Sequence, residues 1–232
     1  MVVRGRWSSA LTRPVNLGPT GATRGAATYA GGVDRAATTV AVVPIRSFVS
    51  GKNRLSPVLD AMQRERLARW SATQVIASLR SFDTVVVSND DDVLSWATQQ
   101  SCSVLCPEES GLNAAAHAAR RHLRAAGIAR MAVVHADLVR CADLEMVLGL
   151  PGRVIVPDAT CDGTNVLVLS TSSDIDFAYG NGSFRRHLAA CVSEQSEDPL
   201  TVVHHRDLGL DLDTPSDLQH PRATPQIMEA IK

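Results

Sequence analysis

From Thr39 onward, short apolar runs alternate with longer stretches whose apolar residues recur at helical spacing. "TVAVVPI" (39–45) is a continuous apolar run closed by Pro44, the mark of a strand buried on both faces. The next stretch carries Leu59, Met62, Leu67, Trp70, Val75, Ile76 and Leu79 near helical spacing. Ser56-Pro57 offers a helix start there, serine as cap and proline in the first turn. "FDTVVVSND", "CSVLCP", "ARMAVVHADL", "RVIVPDA", "TNVLVLS" and "LTVVHH" read as further strands. Between and after them, "DDVLSWATQQ", the alanine-rich "GLNAAAHAARRHLRAAG", "ADLEMVLGL", "SFRRHLAACVSEQ" and "TPSDLQHP" read as helices. The alternation predicts one α/β domain with a largely parallel sheet covered on both faces. Ligands bind such sheets beyond the carboxyl ends of the strands. That directs attention to 46–54, 88–92, 107–113, Asp137 and 157–165, which are mostly polar or charged.

Composition narrows the partners. The chain has 232 residues, 45% of them hydrophobic, enough for one substantial core. Lys+Arg number 23 against Asp+Glu 24, a balance that argues against a nucleic-acid binder but not against a small anion. Five scattered cysteines without a Cys-x-x-Cys pair read as buried free thiols of a reducing cytoplasm, not as a zinc site. No apolar run nears the roughly 18 residues of a membrane span. Residues 1–38 are rich in Gly, Ala, Thr and Arg and lack a secretory core. They read as a disordered extension, or as the product of a start assigned too far upstream, outside a domain at 39–220. Residues 221–232 read as a tail.

Several stretches carry candidate chemistry. In "AVVPIRSFVSGKNRL", Gly51 lets the backbone approach a phosphate, and Arg46, Lys52 and Arg54 add charge. The same stretch also reads as a solvated basic loop. Asp137 follows an apolar strand directly, where a carboxylate can hold magnesium or simply cap a turn. In "LGLDLDTPSDL", Asp211 and Asp213 alternate with Leu210 and Leu212 and so share one side of an extended segment. A cation or solvent relieves that pair. Asp217, three residues after Thr214, closes a capping box. Gly163, Thr164 and Asn165 form a polar turn, and Gly180 to Ser183 lead into a helix. Glycines, a hydroxyl and a helix N-terminus there suggest a second anion cradle.

Taken in order, "VVPIRSFVSGKNRLSPVL", "VVVSND", "GLNAA", "HADL", "DGTNVLVL", "YGNGSFRRHL" and "LDLDTPSDL" resemble the guanylyltransferases of deazaflavin coenzyme F-420 biosynthesis. These act on phosphoenolpyruvate or 2-phospho-L-lactate. The resemblance implies a three-layer, Rossmann-like nucleotidyltransferase fold of the nucleotide-diphospho-sugar transferase type, with a mostly parallel mixed sheet. It implies GTP as substrate, Mg2+, and a small phosphorylated three-carbon acid, with transient contact to the next pathway enzyme. Residue by residue, it implies that Arg46, Gly51, Lys52 and Arg54 clamp the GTP phosphates. Gly111 and Asn113 lie near the nucleoside, and Asp137, Asp211 and Asp213 hold the metal. Thr164, Gly180 and Ser183 hold the acid, and Lys52, Arg54 and Asp137 carry the catalytic load. Family members often have lysine where Arg46 stands, and many continue the acidic turn as Asp-Leu-Pro where this chain has Asp137-Leu138-Val139-Arg140. Two rivals stay open: a non-catalytic nucleotide-binding or docking module, and a nucleotidyltransferase of another base or substrate.

Overall fold

The apolar run at Thr39 forms the middle of the sheet. The computed structural model describes residues 39–220 and 224–231. In it β1 (Thr39–Pro44) lies between β2 (Thr84–Val87) and β4 (Arg130–Val134), parallel to both. β3 (Ser103–Leu105) extends the sheet past β2. On the other side follow β6 (Thr164–Ser170), β5 (Arg153–Pro157) and β7 (Leu200–Val202), giving the order β3-β2-β1-β4-β6-β5-β7. Among the described strands β6 alone runs antiparallel, to β4 and to β5. The sheet is therefore mixed and mostly parallel, as expected.

Both faces are apolar because both are covered. Ala41 and Val43 join one core with Ala72, Val75 and Ile76 of α1 (Ala61–Ala77), Val93 and Ala97 of α2 (Asp91–Gln99), and Leu144 and Val147 of α4 (Leu144–Leu148). Val40 and Val42 join the opposite core with Ala115, Ala116 and Ala119 of α3 (Leu112–Ala125) and Cys191 of α5 (Ser183–Ser193). This explains an uninterrupted apolar strand where a half-covered sheet would alternate. A third cluster joins Leu55, Leu59, Leu67, Val139, Leu210 and Leu212 beneath the acidic loops.

Three expectations need correction. Ser56-Pro57 does not start α1. The helix begins at Ala61, where the Asp60 carboxylate accepts from Gln63 N and the Gln63 side chain accepts from Asp60 N, a reciprocal cap that Ser56 cannot form. Nor is 221–232 simply a tail. It carries α7 (Thr224–Ala230), whose Ile227 is buried in the third cluster. The cysteines are free, as expected, but they are not all buried: Cys106 and Cys161 are exposed. The expected extension at 1–38 lies outside the described residues.

Reversal of β6 has a positional effect. Its first residues, Thr164 and Asn165, lie at the rim where the parallel strands end. His135 N, just past β4, donates to Asn165 O at 3.0 Å. One edge of the sheet thus collects the exits of β1 and β4, the β5–β6 hairpin and the start of α5.

Candidate active site

The loop leaving β1 is folded back tightly. Phe48 is buried edge-on against Trp96, 5.1 Å between centroids, and the Arg69 guanidinium lies over its ring at 4.4 Å. A side chain at Gly51 would sit 2.9 Å from Ser47 O, so glycine is required for this turn. Lys52 follows in the left-handed region, φ 54°. That turns its side chain inward: only 6% of it is exposed. Lys52 Nζ donates to Leu212 O at 2.8 Å and stands 3.6 Å from Asp137 Oδ2. Arg54 reaches Asp213 Oδ2 at 3.2 Å with most of its side chain in solvent. Arg46 is exposed.

Two acidic segments are clipped together beside this loop. Residues 137–139 and 210–212 pair as a short antiparallel bridge, with Val139 N donating to Leu210 O at 3.2 Å and Leu212 N to Asp137 O at 3.3 Å. Leu210 and Leu212 point into the core, which leaves Asp211 and Asp213 on the other side, as their alternation predicts. Beyond them Thr214 caps α6 (Pro215–Leu218): its N and Oγ1 donate to Asp217 Oδ2 at 2.6 and 2.9 Å. Arg140 pairs with Asp207, Nε to Oδ2 at 3.2 Å, so its charge has an internal partner.

The carboxylates differ electrically. Burial pushes Asp137 up, but the Lys52 ammonium and His135 outweigh it and hold its carboxyl below the usual range. Asp211 is raised to about 7, by burial first and then by the charges of Asp137 and Asp213. Asp213 is raised too, by burial first and then by Asp137, against the opposing pull of Lys52 and Arg54. Asp137 Oδ1 is sealed from solvent and has no hydrogen-bond partner, although the side chain as a whole keeps 27% exposure. Such an atom costs about 1–3 kcal/mol in a folded protein. Among the described residues no three His, Cys, Asp or Glu side chains converge to form a metal cage by themselves. The set does fit an ion that takes one or two carboxylates and completes its shell with phosphate oxygens and water, the habit of magnesium.

The residues expected to hold the acid turn inward. Thr164 and Ser183 are fully buried, with Ser183 Oγ 3.4 Å from Thr164 Oγ1. Buried His187 lies 3.0 Å from Thr164 Oγ1 through Nδ1, and its Nε2 accepts from Ala178 N at 2.9 Å. An acceptor Nε2 leaves the proton on Nδ1, so Thr164 accepts it. Burial, helped by Arg186, lowers His187 to about 4 and keeps it neutral. The expected cradle at the start of α5 is already filled from within: Gly182 N donates to Asp162 Oδ2 and Phe184 N to Asp162 O, both at 3.0 Å. Gly180 has φ 113°, a turn conformation suited to glycine. Asn113 ties α3 to this turn, with Oδ1 accepting from Tyr179 N at 2.7 Å, and Gly111 opens α3 in an exposed position.

The structure therefore gathers Lys52, Arg54, Asp137, Asp211 and Asp213, and separately packs Thr164, Ser183 and His187 into an internal network. Sequence pattern alone does not mark His135 and Tyr179. Their rings meet between these groups, 5.3 Å apart at 42°. The "HADL" motif offered one cue, a histidine two residues before the metal-type aspartate. A cavity of about 360 Å³, lined by Arg153, Ser170, Ser173 and Glu194, lies at the opposite end of the sheet.

Comparison with known proteins now adds to the geometry. The model of the family described as guanylyl transferase CofC like matches residues 39–220. A phosphoenolpyruvate guanylyltransferase from Rubrobacter xylanophilus is 33% identical over 193 residues, 79% of this chain and 93% of that protein. A 2-phospho-L-lactate guanylyltransferase from Methanothermobacter thermautotrophicus is 33% identical over 189 residues, 78% and 82% of the two chains. Among solved structures, a putative nucleotide-diphospho-sugar transferase from Desulfovibrio desulfuricans superposes with a TM-score of 0.64 at 12% identity, covering 83% of this chain and 96% of that one. That likeness establishes the nucleotide-diphospho-sugar transferase type of fold.

Proposed function

Because the chain belongs to the guanylyl transferase CofC-like family, we propose that it transfers GMP from GTP to a small phosphorylated three-carbon acid, phosphoenolpyruvate or 2-phospho-L-lactate, in coenzyme F-420 biosynthesis. The observation that carries this reading is the cluster at the rim: a sequestered Lys52, an exposed Arg54 and three carboxylates, two of them raised, inside the matched 39–220 region. The two relatives at 33% identity bear different acid names, so the reading keeps both acids.

The reaction balances simply. A phosphate oxygen of the acid attacks the α-phosphorus of GTP, a new P–O–P bond forms, the bond to the β-phosphate oxygen breaks, and pyrophosphate leaves with its electrons. A phosphate oxygen is anionic near neutral pH, so the site needs no strong base; positioning and charge stabilisation suffice. Lys52, released from Leu212 O, and Arg54, released from Asp213, would meet the triphosphate as a point charge and a planar fork. Gly51 keeps the loop close enough for backbone contact. Asp137, with Asp211 and Asp213, would hold Mg2+, which when bound supplies neutralising charge for phosphate oxygens. The lowered pKa of Asp137 keeps it ionised for that purpose.

The test is pyrophosphate release with GTP, magnesium and each acid, with the next enzyme of the pathway coupled to draw off a labile product. Release stimulated by one acid is the expected result. No stimulation by any acid, from folded protein, sinks the reading; tight GTP binding without turnover would favour a binding module. A four-nucleotide screen checks the base.

A further inference from the structure

Leaving the arginines aside, three buried side-chain nitrogens and oxygens among the described residues have no hydrogen-bond partner: His135 Nε2, Asp137 Oδ1 and Tyr179 Oη. They belong to one neighbourhood. His135 lies two residues from Asp137 and senses its charge, and its ring packs on that of Tyr179. Native structures satisfy nearly all buried polar groups with protein, water or ligand, so three orphans together at a substrate rim call for such a partner.

The two rings are held while their polar atoms are not. Tyr179 has its backbone N and O tied to Asn113 and its ring set against His187, 4.7 Å between centroids. His135 N donates to Asn165 O, beside Thr164. The hydroxyls of Thr164 and Ser183 are engaged with each other and with His187, whereas His135 Nε2 and Tyr179 Oη have no such partner.

We propose that His135 Nε2 and Tyr179 Oη act as positioning donors that jointly grip an anionic oxygen of the small acid. This rests on the guanylyl-transfer reading. An imidazole N–H and a phenol O–H both donate, and the ionised acid offers only acceptors at its carboxylate and phosphate. Such charge-assisted bonds are stronger than neutral ones. Neutral donors also select by geometry, which complements the cationic Lys52 and Arg54 on the triphosphate side. Contact requires the turn carrying Tyr179 to open slightly, and Gly180 and Gly182, both with positive φ, bound its exit.

Tyr179→Phe removes the oxygen and keeps the ring. The acid KM should rise at least tenfold, the GTP KM should stay within twofold, and the metal-free melting temperature should not fall, because the lost atom had no partner. An unchanged acid KM with a lower melting temperature would mean a structural role and overturns the proposal. His135→Phe should raise the acid KM likewise, and His135→Gln, which returns an amide N–H near the Nε2 position, should recover most of it. If glutamine does no better than phenylalanine, the assignment of Nε2 is wrong. Calorimetric titration with phosphoenolpyruvate and 2-phospho-L-lactate, with magnesium but no GTP, separates this inference from the reaction. No turnover, with acid binding weakened in Tyr179→Phe, removes the function and keeps the inference. Turnover with unaltered acid affinity does the reverse, and a wild-type chain that binds neither acid overturns the inference. Pyruvate and inorganic phosphate as competitors divide the two ends of the acid: loss of one in the variant assigns the end gripped, and loss of neither overturns the proposal.

Discussion

Around His187 both ring nitrogens have partners, one in Thr164 and one in the Ala178 amide, and the ring is neutral and buried. A few residues away, His135, Asp137 and Tyr179 each keep a buried atom unpartnered, and two neighbouring aspartates have raised pKa values. Both regions are polar, both sit at the rim, and both contain residues with catalytic side-chain types. One has completed its hydrogen bonds internally and works as a joint between β6 and α5. The other is left incomplete, and its strain is of the kind that charge and donors from reactants relieve. Residue type alone does not separate a joint from a site; the state of each polar atom does.

The contrast can be broken by experiment, starting with the largest effect. Asp137→Asn should lower turnover by about a thousandfold or more, on the order of 4 kcal/mol of transition-state stabilisation, with the circular dichroism spectrum and melting temperature near wild type. Wild-type turnover would remove Asp137 from the metal side. His187→Ala should act the opposite way, losing about 2–4 kcal/mol of stability in urea unfolding as a buried partner goes and a cavity opens. Unchanged stability with lost turnover would put His187 in the chemistry.

A smaller effect concerns pH. Asp211 is raised in the folded chain, so the folded state holds its proton after the unfolded state has released it. Metal-free stability should therefore fall as pH rises from the ordinary aspartate range to about 7, then level. Asp211→Asn should flatten that slope, and magnesium at pH 8 should recover the lost stability. His187 tilts the other way: its folded value of about 4 lies below 6.5, so its contribution is lost as pH falls between them. A pH series of urea melts on the wild type and both variants separates the two slopes. Smallest of all, Arg54→Ala should leave the unfolding curve unchanged, because an exposed ion pair contributes little, while raising the GTP KM several-fold. An unchanged GTP KM would exclude Arg54 from the triphosphate.

Much of this was legible in the sequence, for reasons that differ by element. β1 announced itself because a strand buried on both faces is almost wholly apolar, and Asp217 because capping follows local spacing. Asp211 and Asp213 shared a side because extended chain alternates. The reversal of β6 was not legible: an apolar run carries no direction, and pairing is decided by neighbours far away in the chain. The start of α1 is ambiguous in sequence because Ser56-Pro57 and Asp60-x-x-Gln63 are both plausible caps, and only the second pair forms the reciprocal bonds. Thr164 and Ser183 look like open hydroxyls in sequence; whether a hydroxyl faces a ligand or a buried imidazole is a tertiary fact. His135 and Tyr179 were missed for the same reason, since an orphaned atom has no signature in its residue type.

The lone reversed strand has one more consequence. β6 ends at the far edge of the sheet, so residues 171–179 must travel back along α3 to reach the rim. They are not part of any strand. Their path is fixed by side chains from one stripe of α3: Arg124 Nε holds Thr171 O at 2.6 Å, Arg120 Nη1 holds Ser173 O at 2.9 Å and Ile175 O at 2.5 Å, and Asn113 receives Tyr179 N. Arg120 also lies over the Phe177 ring at 4.9 Å. A ladder of backbone bonds melts as a unit, whereas a strap tied rung by rung can slacken at one rung. The height at which Tyr179 meets the rim is thus set by α3 side chains, two arginines and an asparagine, and not by sheet pairing.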